Sequence, residues 1–320
     1  MDFVAPELVA LAVVFTFVNG MNDGGALLSV GVKLEQAHVV LPLVVLVGAV
    51  VVAPWLFGTS VAETFVGRLV DFSGPAGRRS LTVAIVAAIV VVVSLGRAGL
   101  PTSLTLATIG GMVGGGVGAG QTVDWPILTT VLLLAAVAPV IGVVGAAALS
   151  VAAQYVEAPR STSRLVWRGH RLAFGMLKLA YGANDGQKML AVLSIAIGTV
   201  PGSVGRGAIM VIALPLFVGC LVGLRRVSRT LSSGVLAVRP VSAVAAELSA
   251  ATAVTASSRV GAPVSMTQSI AGSLVGAGMR ESVRKIRWRV VVNLSVAWAV
   301  TLPAAGLVAA STDRPLRGAL

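Results

Sequence analysis

Gly20-Met21-Asn22-Asp23-Gly24 interrupts one apolar run of this chain, and Gly182-Ala183-Asn184-Asp185-Gly186 interrupts another 162 residues later. A second pair of motifs keeps that offset: Gly99-Leu100-Pro101-Thr102-Ser103-Leu104-Thr105 and Gly261-Ala262-Pro263-Val264-Ser265-Met266-Thr267. The register continues through Gly110/Gly272, Gly114/Gly276 and Gly116/Gly278. Matches of Ala, Val and Gly arise cheaply by chance in an apolar chain. Matches of Asn-Asp, Pro, Ser and Thr do not, so two polar motif pairs at one offset indicate an internal duplication.

Around these motifs the chain is 56% hydrophobic and only 11% charged, with a mean hydropathy of +0.95. Soluble domains carry about 25% charged residues; a chain this apolar has no surface to present to water. Stretches of spanning length occur near 3–20, 37–57, 81–96, 99–120, 127–153, 172–198, 207–224, 241–258, 261–279 and 288–310. The first and sixth contain the Asn-Asp-Gly motifs and are expected to be broken or partly re-entrant. Met1–Gly20 has no basic n-region and carries Asp2 and Glu7, so it reads as a mature span and not as a signal peptide. The expected fold class is an all-α integral membrane protein of about ten helical segments.

The polar stretch 157–171 divides the segments five and five, with repeats at 1–156 and 172–320. An odd number of spans per half makes the second half enter the membrane the opposite way. That is an inverted-topology repeat, an architecture of many secondary transporters.

The net charge of +12 suggests nucleic acid at first sight. The basic residues, however, fall in short clusters between apolar runs, as cytoplasmic loops facing anionic lipid do. Odd-numbered loops hold 15 of them, including Arg160, Arg164, Arg168 and Arg171, then Arg225, Arg226, Arg229 and Arg239, then Arg280, Arg284, Lys285, Arg287 and Arg289. Even loops and the C-terminal tail hold 7, with Arg68, Arg78 and Arg79 opposing the trend. The positive-inside rule then puts the odd loops in the cytoplasm and both termini outside a cytoplasmic membrane. Cys220, the single cysteine, excludes an internal disulfide and a thiolate metal site. His38 and His170 lie far apart at segment edges, where interfacial residues are commoner than metal ligands. No nucleophile–base pair, paired-carboxylate signature or nucleotide loop stands out, so no enzyme is expected.

A carboxylate in hydrocarbon costs at least about 2.5–3.5 kcal/mol. Asn and Asp favour helix N-caps, and flanking Gly lets the chain turn. Each Asn-Asp-Gly is therefore expected to break its span into half-helices, whose free N–H groups suit an anion and whose carboxylate suits a small cation. An inert kink with a capped Asp is the plainer alternative, and two symmetric copies weigh against it. In the second motif pair, Pro fits a first helical turn, and Ser and Thr two apart place hydroxyls beside the orphan N–H groups. Such clusters suit a tetrahedral oxyanion, although hydroxyls that only cap would look the same. Gly110, Gly114 and Gly118 read as helix-packing residues. Glu247 lies within an apolar segment with Ile85 at its equivalent position. Lys188 either offsets substrate charge or snorkels to water.

At these residues the sequence resembles the inorganic phosphate transporter (PiT) family of cation-coupled secondary carriers. Tyr181-Gly182-Ala183-Asn184-Asp185-Gly186-Gln187-Lys188 is similar to the second signature of its bacterial members, and Asn19-Gly20-Met21-Asn22-Asp23 to the first. Leu100–Thr105 and Ala262–Thr267 resemble its Pro-Val-Ser-Ser/Thr-Ser/Thr-His elements, and Ala246-Glu247-Leu248 an acidic element of its second half. Departures are Ala26 where the family often has Asn, Leu106 and Gln268 in place of His, and Leu104 and Met266 in place of the middle hydroxyl residue. The resemblance covers nearly the whole chain. It implies a phosphate symporter working by alternating access, with Asn22, Asp23, Ser103, Thr105, Asn184, Asp185, Ser265 and Thr267 around the substrate. Asp23, Asp185 and Glu247 would hold the coupling cation: Na⁺, H⁺, or a divalent metal complexed with phosphate. Sulfate transport on the same fold and an anion or metal channel are the alternatives. No nucleic-acid partner or resident cofactor is expected, and a homodimer is compatible with the sequence.

Overall fold

The structure is a computed structural model, and it describes residues 6–35, 39–72, 74–97, 102–155, 162–227 and 240–317. His38, Pro101, Arg160, Arg229 and Arg239 lie outside the described residues, as do 157–161 of the expected linker. Thirteen helices are named: α1 (Pro6–Asn19), α2 (Gly25–Glu35), α3 (Val40–Phe57), α4 (Ser60–Glu63), α5 (Gly74–Arg97), α6 (Leu104–Ala119), α7 (Trp125–Tyr155), α8 (Thr162–Tyr181), α9 (Gln187–Ala196), α10 (Arg206–Val227), α11 (Pro240–Arg259), α12 (Met266–Glu281) and α13 (Trp288–Arg317).

Within the described residues the apolar segments expected from hydropathy fall on these helices, with 172–198 shared between α8 and α9. Six helical stretches are long and apolar enough to cross a membrane: Pro6–Ser29, Val40–Phe57, Ala76–Arg97, Trp125–Ala153, Arg206–Leu224 and Trp288–Asp313. Their outward faces carry large apolar side chains; Leu133 is 61% exposed, Leu214 70% and Leu307 72%. A patch of that kind is unstable against water and stable against lipid. The protein is an all-α membrane protein.

Two expectations change. The Asn-Asp-Gly motifs do not break their helices. α1 runs into α2 through a π-helical turn at Gly20–Gly24, and α8 into α9 through another at Gly182–Gly186. In the first, the Gly25 N–H bonds back to the Gly20 carbonyl, and neither flanking residue caps through its side chain. A break in hydrocarbon strands backbone groups that water cannot reach; a widened turn keeps them bonded while bulging side chains inward. The spans that depart from full helix are those of the Pro-x-Ser-x-Thr motifs. There, α6 and α12 are 16 residues each, about 24 Å long against a hydrocarbon core of about 30 Å.

The second change concerns the linker. α8 starts at Thr162, inside the stretch 157–171. Arg164, Arg168 and Arg171 recur at i, i+4 and i+7 and stay exposed, while His170, Ala173 and Phe174 are buried. The basic stretch is thus the amphipathic opening of a helix.

The halves exchange packing partners. α6 lies against α13, α12 against α7, α10 against the first π-turn and α3 against the second. These contacts are backbone-close. A Cβ on Gly110 would lie 2.1 Å from the Leu302 carbonyl oxygen, and one on Gly114 2.0 Å from that of Gly306. The equivalent Gly272 and Gly276 meet the Pro139 and Val143 carbonyl oxygens at 2.3 Å and 2.0 Å. The packing role read for Gly110 and Gly114 is therefore observed, and Gly118 follows the same seam against Ala310.

Candidate functional site

Each π-turn delivers one Asn to the start of a short helix in its own half and carries one Asp beside it. Asn22 Nδ2 donates to the Thr102 carbonyl oxygen at 3.0 Å and approaches Asp23 Oδ1 at 3.3 Å. Asn184 Nδ2 donates to the Ala262 carbonyl oxygen at 3.1 Å and to Ser258 Oγ at 3.0 Å, and its Oδ1 accepts the Val264 N–H at 3.2 Å. In both halves the amide side chain clamps the extended residues that lead into the helix. This is structural work for the two Asn, beside whatever they offer a ligand.

The short helices begin with serine caps. Ser103 Oγ accepts the Leu106 N–H at 3.2 Å, and Ser265 Oγ accepts the Gln268 N–H at 3.4 Å. Each serine occupies an extended conformation just before its helix, as N-caps do. Thr267 Oγ1 lies 2.9 Å from Ser265 Oγ. Two helix N-termini thus start beside the two π-turns, bringing positive dipole ends and backbone N–H groups to buried ground.

Between them sit Asp23 and Asp185, both fully buried. Lys188, also buried, donates to Asp185 Oδ1 at 3.0 Å, Thr105 Oγ1 at 2.6 Å and the Val264 carbonyl oxygen at 2.8 Å. Thr267 stands beside the Asp23 carboxyl and Asn19 beside that of Asp185. Asp23 Oδ2, Asp185 Oδ2, Thr102 Oγ1, Asn19 Nδ2 and Gln187 Nε2 are buried with no hydrogen-bond partner. Unmatched donors and acceptors at one place in a membrane protein mark where a polar ligand or ion belongs.

The two halves touch at equivalent positions. Tyr181 Oη donates to Asn19 Oδ1 at 2.5 Å, and these residues are 162 apart. The cluster therefore takes residues from both halves of the chain and straddles the contact between them.

Of the expected site residues, Asn22, Asp23, Thr105, Asn184, Asp185, Ser265 and Thr267 come together, with Ser103 capping the adjoining helix start. Glu247 does not join them through any described contact. Its Oε2 lies 2.8 Å from His170 Nδ1, and along α11 it is roughly 16 Å from Ser258, which touches Asn184. His170 is buried and stacks on Phe174, one turn further along α8, with ring centroids 5.7 Å apart, and its contact with Glu247 joins α8 to α11. No group of three or more His, Cys, Asp or Glu able to hold a metal occurs among the described residues. Any cation here would rely on at most the two carboxylates, with hydroxyls and carbonyls.

Sequence reasoning missed Asn19, Tyr181 and Gln187. The offset itself could have paired the first two, since 19 and 181 are equivalent positions. Gln187 Oε1 accepts the N–H groups of Val61 and Ala62 at 2.8 and 3.3 Å, holding α4 onto the second π-turn; nothing local in the sequence signals that contact. The snorkelling alternative for Lys188 is excluded by its burial, and its i, i+3 spacing from Asp185 is the signal available in the sequence.

A cavity of about 560 Å³ lies between α7, α12 and α13 and is lined mostly by apolar residues such as Leu132, Val140 and Trp298. It borders the cluster only through Leu106 and Gln268, the repeat-equivalent residues on the first turns of α6 and α12.

Comparison with known proteins agrees with this architecture. The profile of the phosphate transporter family matches residues 19–172 and 152–309. A Mycobacterium tuberculosis protein named "Probable low-affinity inorganic phosphate transporter" is 31% identical across 95% of this chain and 76% of its own length. A Rhizobium meliloti protein of the same name is 27% identical across 95% and 93%. The zebrafish (Danio rerio) "Sodium-dependent phosphate transporter 1-B" is 36% identical over 140 residues, 41% of this chain and 21% of its own. The solved structure of a sodium-dependent phosphate transporter superposes with a TM-score of 0.80 over 99% of this chain and all of that one, at 18% identity. The chain belongs to the phosphate transporter family.

Proposed function

We propose that this protein carries inorganic phosphate across the cytoplasmic membrane together with a cation, by alternating access of two inverted repeats, 1–156 and 172–320. The observation that carries this reading is the straddling cluster: two buried carboxylates with unpartnered oxygens, set beside two serine-capped helix N-termini, one from each half. The N-termini and the Ser and Thr hydroxyls receive the oxyanion. A carboxylate beside that oxyanion repels it strongly where the effective dielectric is low. A Na⁺ or proton at the carboxylate reverses the sign. Empty and doubly loaded states are then tolerated and half-loaded states are not, which is what coupling requires.

Phosphate is favoured over sulfate by the same carboxylates. Protonated phosphate donates a hydrogen bond to an unpartnered Asp oxygen; sulfate at neutral pH has nothing to donate. The cargo and its coupling are tested by counterflow of labelled phosphate in proteoliposomes, varying Na⁺, Mg²⁺ and pH separately. Saturable, concentrative uptake driven by one of these gradients, with sulfate a weak competitor, is expected. Flux that ignores every cation gradient and barely saturates identifies a channel instead.

The basic loops place both termini outside. Single-cysteine labelling on a Cys220→Ser background checks this: Cys at residue 164 or 284 should react only from the cytoplasmic side. Reaction of both termini from that side overturns the orientation and leaves the transport reading standing.

A further inference from the structure

The Lys188 ammonium is held the way a small hard cation is held: one carboxylate oxygen, one hydroxyl and one backbone carbonyl, all within 3.0 Å. Its ligands come from both halves. Asp185 and the Val264 carbonyl belong to the second half, and Thr105 belongs to the first. Shifted by the repeat offset, this set becomes Asp23, the Thr102 carbonyl and Thr267, again drawn from both halves.

That second set is assembled. Thr267 is beside the Asp23 carboxyl, and the Asn22 amide bridges Asp23 Oδ1 and the Thr102 carbonyl. The residue equivalent to Lys188 is Ala26, buried and too short to reach. Asp23 Oδ2 and Thr102 Oγ1 are left buried and unpartnered. One of two related oxygen cages therefore contains a covalently tethered positive charge, and its twin contains none. Two buried carboxylates against one ammonium leave one negative charge uncompensated, which is costly at this depth until a single monovalent cation arrives.

We propose that Lys188 is a built-in cation occupying one of two repeat-related cation positions, so that the mobile coupling cation has only the Asp23 position to fill. The proposal rests on the coupled-carrier reading for the role of the mobile ion, but not for the role of Lys188. Removing the ammonium should open the Asp185 cage to a free ion.

The test is Na⁺ binding to the purified full chain in detergent, counted per molecule by titration calorimetry and by filtration with labelled Na⁺. Lys188→Ala should bind one Na⁺ more than wild type, and the double variant Lys188→Ala/Asp185→Asn should lose that gain. If Lys188→Ala does not fold, Lys188→Asn is measured in its place with the same expected gain. A folded Lys188 variant that binds no more Na⁺ than wild type overturns the proposal. The wild-type count speaks separately to the proposed function: one Na⁺, lost in Asp23→Asn, supports Na⁺ coupling, whereas none argues for a proton. In either case the extra ion in the Lys188 variant remains readable.

Discussion

The two π-turns are copies of one motif, yet they hold their carboxylates differently. Asp185 is tied to Lys188 three residues on through one oxygen, while Asp23 has Ala26 at the equivalent place; the second oxygen of each is unpartnered. Both are packed closely. The first turn is pressed backbone to backbone on α10, where a Cβ on Gly223 would lie 2.0 Å from the Met21 carbonyl oxygen. The second is likewise close on α3, where a Cβ on Gly182 would lie 2.6 Å from the Ala49 carbonyl oxygen. The two turns thus present the same motif with different charge balance. One carboxylate has a lysine on one of its oxygens and, among the described residues, the other has no cationic side chain bonded to it.

The largest effects should separate these two carboxylates. Asp185→Asn leaves a buried ammonium short of its partner and should cost about 3–5 kcal/mol of stability, read as a fall in unfolding temperature in detergent. Asp23→Asn should keep the wild-type unfolding temperature. It should lose cation-stimulated phosphate uptake by roughly ten- to a hundredfold. Equal losses of stability in the two variants would remove the distinction.

A smaller effect tests the crossed packing that holds the copies together. Gly114→Ala forces a methyl against the Gly306 carbonyl and should destabilise by about 1–3 kcal/mol. Gly48→Ala, with open space around it, should be close to neutral in the same thermal assay. The helix caps come next. Ser103→Ala and Ser265→Ala should each cost about 0.5–2 kcal/mol. Ser265 should be the larger because it also loses its contact with Thr267. Identical costs would mean that the Thr267 contact adds nothing to the cap. The smallest effect is at the contact between the halves: Tyr181→Phe removes a hydrogen bond to Asn19, worth about 0.5–1.5 kcal/mol, with little change in the unfolding temperature of a protein this size.

Much of this architecture is legible in the sequence, because hydropathy acts locally. Segments as plain as 37–57 or 207–224 announce α3 and α10 by length and composition alone. The offset between Asn22 and Asn184 announces the repeat, and the Ser-x-Thr pairs announce two helix starts. The conformation of Asn-Asp-Gly is not legible. In water that triplet favours a cap or turn, but in hydrocarbon a stranded N–H costs more than a strained helix, and the widened turn wins. The contact of Glu247 with His170, 77 residues away, is not legible either; a long-range pair of this kind has no local signature. The role of Lys188 is half legible. Its spacing from Asp185 is visible, but Thr105 and the Val264 carbonyl are brought to it only by the crossing of the halves.

The central claim is that phosphate and a cation share one site built from both repeats. The most direct measurement is phosphate binding by titration calorimetry on the wild-type chain, in Na⁺ and in choline at two pH values, followed by the cation titrated with and without phosphate. Each ligand should tighten the other by the same factor, a coupling of about 1–3 kcal/mol, and Asp23→Asn should abolish it. A phosphate affinity that is the same in Na⁺, in choline and at both pH values would contradict the account.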